Sequence, residues 1–244
     1  ILKPESPLSI DAEGQLLAAV MAKKYSVTAK YVLIDIPMGK STKASTLREA
    51  MHLKHMFELI GRKLGITVKV ILTDGSHPIG NGIGPLLETE DVMAVLRNDP
   101  LAPPDLKEKA VMMAGALLEM TPKYKKGTGL KAAREILESG RALKKMHEII
   151  AAQGKNKKPQ LGEFTYPVYS KKSGKIREID NLVIAKLARL AGAPEDKGSG
   201  LFLTKKFHDK VKKGELLYTV YAENKFKLDL AKDYLKNNNG YMVG

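Results

Sequence analysis

The sequence predicts an α/β fold followed by a C-terminal α+β domain. Two apolar runs, at 31–37 and 68–72, are each followed by a helical pattern. Strand–helix–strand–helix order with apolar strands implies a parallel sheet covered on both faces. Prolines at 100, 103 and 104 break that rhythm, and beyond the lysine-rich stretch 155–159 the pattern becomes one of short alternating strands. At 244 residues the chain can hold one large or two modest domains, each with its own core.

Residues 9–24 read as a helix that Ser9 or Asp11 can cap, with Leu16, Leu17, Val20 and Met21 at helical spacing. A strand at 31–37 runs into a loop at 38–46, then a helix over 47–64 that Gly65 closes. A second strand at 68–72 ends at Asp74-Gly75, and the glycine-rich HPIGNGIGPLLE leads into a helix ending near Arg97. Two helices fit 105–119 and 128–152. The tail reads as strands at 164–169 and 175–179, a helix at 181–191, and strands near 200–204 and 216–221, with a turn at 211–214. The expected domains are a helical segment at 1–28, an α/β portion with a helical connector at 29–154, and an α+β domain at 159–244.

The formal net charge of +14 draws the chain toward anions. Lysines are spread along its whole length and no basic helix carries interleaved aromatics. With no Trp and only five Phe there is little material for stacking bases, so nucleic acid is not an expected partner. The absence of cysteine excludes disulfides, thiolate metal sites and a cysteine nucleophile, and agrees with a cytoplasmic protein. No apolar run approaches the ~18 residues of a membrane span, so no membrane partner is expected.

The densest chemistry lies in YVLIDIPMGKSTK, residues 31–43, where an apolar strand ends in a glycine, two lysines and two hydroxyls. A P-loop would need another glycine at position 34, which is Ile34. What remains is an anion site at a strand end. A lysine just beyond a strand can reach a phosphate or a base oxygen as a point charge, and Lys43 is the favoured residue. His77 has no second ligand nearby, and His52 and His55 lack a third, so no metal site is expected.

Five segments in order resemble the thymidine/pyrimidine-nucleoside phosphorylase family, and within it the archaeal-type AMP (nucleoside monophosphate) phosphorylases. They are PLSIDAEGQLLAAVMAKK, AKYVLIDIPMGKSTK, HPIGNGIGPLLE, AREILESG and AGAPEDKGSG…DKVKKGELLYTVYAE. The resemblance implies part of a nucleoside phosphorylase/phosphoribosyltransferase-like α/β domain, with a helical segment and a C-terminal α+β domain that supports the scaffold. It implies a pentosyltransferase: inorganic phosphate, the co-substrate, displaces the base from C1′ of a nucleoside 5′-monophosphate, leaving ribose 1,5-bisphosphate. The alternatives are a pyrimidine/thymidine nucleoside phosphorylase and a catalytically silent basic fragment.

By resemblance Asp11 stands where these enzymes place a proton donor to the departing base; its competing reading is a helix N-cap. Ala19 occupies the place of a base-binding serine and brings no donor. Lys23, four residues on and on the same helix face, matches a lysine that contacts the base. Asp11 and Lys23 would lie about 18 Å apart along a helix, flanking a nucleotide-sized ligand. Lys43 matches a lysine that contacts the nucleotide. No organic cofactor is implied; a monovalent cation near the glycine-rich turn, with Glu88 and Asp91, is a further expectation. The family's phosphate-binding segment lies upstream of everything present, so the chain reads as the C-terminal portion of a longer, homo-oligomeric enzyme.

Overall fold

The computed structural model describes residues 13–154 and 158–244, which form two compact units. The first takes in 13–75 and 113–130, and the second 76–112 with 131–244. The stretch 131–154 therefore packs with the tail unit, although sequence order groups it with the strands before it.

The first unit begins with helix α1 (Glu13–Ser26), strand β1 (Tyr31–Met38), helix α2 (Leu47–Lys63) and strand β2 (Thr67–Asp74). The strands pair in parallel, from Tyr31 opposite Thr67 to Met38 opposite Asp74. Period-two geometry sends Val32, Ile34 and Ile36 to one face, where they join Val70, Leu17, Met21, Leu53 and Phe57 in a core. The opposite face carries Leu33, Asp35, Lys69, Ile71 and Thr73, and there the Thr73 hydroxyl donates to Asp35 at 2.7 Å. The sequence predicts a sheet covered on both faces; the described helices α1 and α2 cover one, and the strands alternate between buried and half-buried positions.

Helix α2 starts at a capping box. Thr46 accepts from the Glu49 amide, while the Glu49 carboxylate accepts from the amides of Ser45 and Thr46. The Ser45 hydroxyl also donates to it at 2.9 Å, and these bonds, the hydroxyl's first, hold Glu49 below the usual carboxylate range. Gly65, at a φ of 69°, turns the chain out of the helix as expected. Within α2, Gly61 lies against the sheet so closely that a Cβ there would come 2.3 Å from Val68 Cγ2.

The second unit holds the short strand β3 (Gly82–Ile83) and helix α3 (Pro85–Leu96). Helices α4 (Pro104–Leu118) and α5 (Gly129–Glu138) run across the division between the units, and α6 (Arg141–Gln153) follows. A single helix over 128–152 is predicted; the structure has two, because Gly140 takes a left-handed φ of 74° and starts a new one.

The tail carries β4 (Phe164–Tyr169), β5 (Gly174–Ile179), α7 (Asn181–Ala191), β6 (Gly200–Leu203), β7 (Lys210–Val211), β8 (Leu216–Ala222), α8 (Lys225–Leu235) and β9 (Tyr241–Val243). Helices α7 and α8 are capped by the side chains of Asp180 and Asn224. Four strands form an antiparallel sheet in the order β3-β6-β8-β4, and β7-β5-β9 form a second. Between them lies an apolar core with Tyr218 at its centre. Burial pushes the Tyr218 phenol well above the ordinary tyrosine range, and its hydroxyl donates to the Asn239 carbonyl at 2.7 Å.

Candidate functional site

In the first unit the strand-end loop folds tightly on itself. The Gly39 amide donates to the Ala44 carbonyl at 3.3 Å, and Met38 and Ala44 form a bridge. The Thr42 hydroxyl lies 2.9 Å from the carbonyls of both Gly39 and Ala44 and is spent on closing the turn. Ser41 and Lys43 are thereby presented at the strand end. The hydroxyl of Thr42 is structural, and the chemistry passes to its neighbours.

Beside this loop lies an open cleft of about 670 Å³. Leu16, Val20, Leu53 and Phe57 give it an apolar wall, residues 33–37 of β1 run along it with the Asp35 carboxylate among them, and Lys24, Ser41, Thr42 and Lys43 form a polar rim. Apolar walls with a few convergent polar groups are the usual make-up of small-molecule sites, and this volume exceeds what a nucleoside needs. The rim lysines supply positive charge where an anionic group would sit; the walls suit a base or sugar face.

The structure distributes the predicted site residues unevenly. Lys43 lines the cleft from an exposed position. On α1 the residues facing the cleft are Leu16, Val20 and Lys24, one stripe at four-residue spacing. Lys23 is exposed and Ala19 half-buried, and neither is among the lining residues. A step of one residue rotates a helix by about 100°, which is why adjacent lysines look in different directions. The signal for Lys24 was present in the spacing from Leu16 and Val20. Asp11 lies outside the described residues.

The second unit holds the glycine-rich turn. Asp91 on α3 is buried, and a single carboxylate oxygen accepts from the amides of Asn81 (2.6 Å) and Gly82 (2.7 Å). The Gly84 amide donates to Glu88 at 3.0 Å, and the Gly80 amide to Asp105 at 3.3 Å. Lys206 pairs with Asp105 at 3.2 Å and donates to the Gly80 carbonyl. The two acids named for a cation thus hold the turn's own backbone amides. Among the described residues no three histidine or carboxylate side chains gather as a metal site.

Sequence reasoning also missed an aromatic stack beside this turn. The ring of His77 lies 4.7 Å from that of Phe207, whose other neighbour is His208 at 3.8 Å. His77 lies 130 positions before Phe207 in sequence, and no local pattern joins it to the Phe207-His208 pair.

Residues 175–242 match the family described as the pyrimidine nucleoside phosphorylase C-terminal domain. The whole chain is 47% identical over 244 residues to a protein of Rhodopseudomonas palustris strain CGA009. It is 43% identical over 245 residues to one of Methylococcus capsulatus strain Bath. A protein of Bradyrhizobium diazoefficiens is likewise 47% identical over 244 residues. All three bear the name "Putative thymidine phosphorylase". The chain is covered completely in each comparison and spans 48% of each relative, about half its length.

Proposed function

This chain belongs to the pyrimidine nucleoside phosphorylase family, and from that premise we propose that it supplies one wall of a site for phosphorolysis of a pyrimidine nucleoside such as thymidine. The observation that carries the reading is the cleft at the end of β1, apolar along its wall and ringed by Lys24, Ser41 and Lys43. In the reaction an oxygen of inorganic phosphate forms a bond to C1′ as the C1′–N bond to the base breaks. The bonding pair leaves with the base nitrogen, which takes up a proton. The products are a pentose 1-phosphate and the free base.

The residues of this chain would act mainly by positioning and by charge. Lys43 and Lys24 would hold the negative charge that gathers on the base carbonyls as the bond breaks. The apolar wall would keep water from the pentosyl cation-like centre, where water would give hydrolysis. Asp11 would deliver the proton.

A second reading is favoured by one feature: Ala19 provides no hydroxyl for a base, whereas the cationic rim offers two ammonium groups for a phosphate. The substrate would then be a nucleoside 5′-monophosphate such as AMP, and the product ribose 1,5-bisphosphate. The names borne by the relatives favour the pyrimidine reading.

The test is a chimaera in which this chain replaces the matched span of the Rhodopseudomonas palustris relative. Phosphate-dependent release of thymine from thymidine, uracil from uridine and adenine from AMP is followed by chromatography. Thymine release that falls about 10-fold or more in Lys43→Ala, with an unchanged melting temperature, is the expected outcome. Adenine release alone would move the assignment to the monophosphate. A soluble, folded chimaera that releases no base would overturn the phosphorylase reading.

A further inference from the structure

Several lysines of the tail pair with a carboxylate, among them Lys205, Lys227 and Lys236. Lys171, Lys172, Lys175, Lys210, Lys212 and Lys213 pair with none among the described residues, and they stand on two turns that are bonded to each other. The Gly214 amide donates to the Ser170 carbonyl at 2.8 Å, and the Ser170 amide to the Glu215 carbonyl at 2.9 Å. The Lys213 amide donates to the Ser173 hydroxyl at 2.9 Å. Strand register sets Lys175 directly opposite Lys210, a like-charge pair that is unfavourable on its own. Glu215, the one acid of residues 170–175 and 210–215, already accepts from the Lys212 amide at 2.8 Å and pairs with Lys205.

A hollow of about 200 Å³ opens beside the first of these turns, with Ser170, Lys171 and Lys172 on one side and loop 237–239 on the other. Asn238 and Asn239 enter it as donors. The Asn238 carboxamide oxygen accepts from the Gly240 amide at 2.8 Å, and that of Asn239 from the Tyr241 amide at 3.0 Å, which leaves the NH2 end of each for a ligand. Both walls are fixed from within. The buried Ser170 hydroxyl donates to the Lys172 carbonyl at 2.6 Å, and the buried Tyr218 hydroxyl holds the Asn239 carbonyl at 2.7 Å. Helix α8 ends here at Leu235, and its C-terminal dipole of about half a negative charge is outweighed by two lysines. A second hollow of about 280 Å³ shares Lys172 and Asn238 but is also lined by Glu178 and Asp180, which are absent from the first. An anion therefore belongs in the first, on the side of the lysine turns.

We propose that the hollow between the Ser170-Lys171-Lys172 turn and loop 237–239 binds an oligophosphate, a ligand with two or three linked phosphoryl groups. One phosphoryl group answers the two lysines and two carboxamides of the hollow; the unpaired ammoniums of Lys212 and Lys213 on the adjoining turn answer the next. A fixed, donor-lined hollow of this size suits a compact anion, whereas a polynucleotide would need a groove and stacking rings. Inorganic oligophosphate and the phosphate chain of a nucleotide present the same chemistry to it. The proposal does not rest on the phosphorylase reading: the hollow lies within the second unit and shares no lining residue with the cleft at β1.

The experiment titrates the 244-residue chain with inorganic tripolyphosphate by calorimetry, with ATP, inorganic phosphate and a single-stranded oligonucleotide as parallel ligands. Tripolyphosphate should bind once per chain and more tightly than phosphate. The double variant Lys171→Ala, Lys172→Ala should weaken it by about 30-fold or more, since two charge-assisted contacts are lost. The control is Lys123→Ala, Lys126→Ala, which removes the same charge from exposed positions of the first unit and should stay within about threefold of the parent. Bound tripolyphosphate should also slow hydrogen exchange in peptides covering 170–175 and 237–241. ATP bound as tightly as tripolyphosphate identifies the phosphate chain alone as the ligand; ATP bound more tightly adds a contact to the nucleoside.

Tripolyphosphate binding that falls equally in both double variants would reduce the effect to overall charge and overturn the proposal. So would the absence of saturable binding with the melting temperature unchanged. An oligonucleotide that binds through Lys171 and Lys172 and is not displaced by tripolyphosphate would overturn it too, in favour of a nucleic-acid surface. None of these readouts depends on base release, so failure here and failure of the proposed activity can be told apart.

Discussion

Asp91→Ala should loosen the glycine-rich turn from within, by an amount the geometry sets. One oxygen of Asp91 accepts from two amides, Asn81 at 2.6 Å and Gly82 at 2.7 Å. The side chain is buried at 7% exposure, and a Cβ on Gly80 would come 2.8 Å from the same oxygen. Removing the carboxylate leaves both amides without an acceptor, at about 1–3 kcal/mol each. Gly82 is buried and Asn81 half-buried, so water can reach the second more readily than the first. A loss of about 2–4 kcal/mol follows, equivalent to roughly 30- to 1000-fold faster exchange of the two amides. Asp91→Asn should be milder. A carboxamide oxygen can occupy the same place and keep both bonds in neutral form, costing about 1–2 kcal/mol, or roughly 5- to 30-fold. Hydrogen exchange resolved to residues 80–84 measures this without assuming that the two units unfold together. Exchange within threefold of the parent for Asp91→Ala would refute the reasoning. Asparagine as disruptive as alanine would show that the charge, rather than the acceptor, holds the turn.

Three further outcomes follow from other elements. Gly61→Ala would drive a methyl into Val68 and toward the Ile66 carbonyl, and should lower the stability of the first unit by about 1–3 kcal/mol, measured by urea denaturation. An unchanged midpoint would mean that α2 can slide away from the sheet at no cost. Tyr218 has a raised folded-state pKa, so its contribution is complete below the ordinary value of 10.0 and is lost as pH rises beyond it. Alkaline unfolding of the second unit should therefore be less steep above pH 10 in Tyr218→Phe, followed by circular dichroism. Glu49 has a depressed folded-state pKa, so its capping contribution is present above the ordinary value of 4.5 and disappears as pH falls through the lower folded-state value. Glu49→Gln should flatten the acid dependence of exchange at the start of α2 in that window; a profile identical to the parent's would exclude the capping role.

What could be read from the sequence was local or periodic. The β1-loop-α2 order, the close of α2 at Gly65 and the strands of the tail all rest on neighbours within a few residues, where propensity and turn chemistry act. The break at Gly140 was hidden because a single glycine inside a long amphipathic pattern is tolerated as often as it ends a helix. Lys24 rather than Lys23 on the cleft was decided by a rotation of one residue, finer than the helix start could be placed. The His77–Phe207 stack, the pairing of Gly82–Ile83 with β6 and the bond from Lys206 to Gly80 join positions more than a hundred residues apart. One sequence carries no trace of such contacts.

The pairing of β3 with β6 bears on how this protein can be cut. Gly82 and Ile83 lie opposite Phe202 and Leu201, and a Cβ on Gly200 would come 1.9 Å from the Ile83 carbonyl. The Leu86 amide donates to Lys197, and the Leu203 amide to Asn81. The lysine-rich stretch before residue 159 looks like a joint between modules, yet the turn upstream of it is woven into the sheet downstream. A protease nick there would leave two pieces that stay together; deletion of everything beyond would unravel the HPIGNGIG turn along with the tail. Gene fusions and domain exchanges in this lineage would have to carry residues 76–112 and 159–244 as one inheritance.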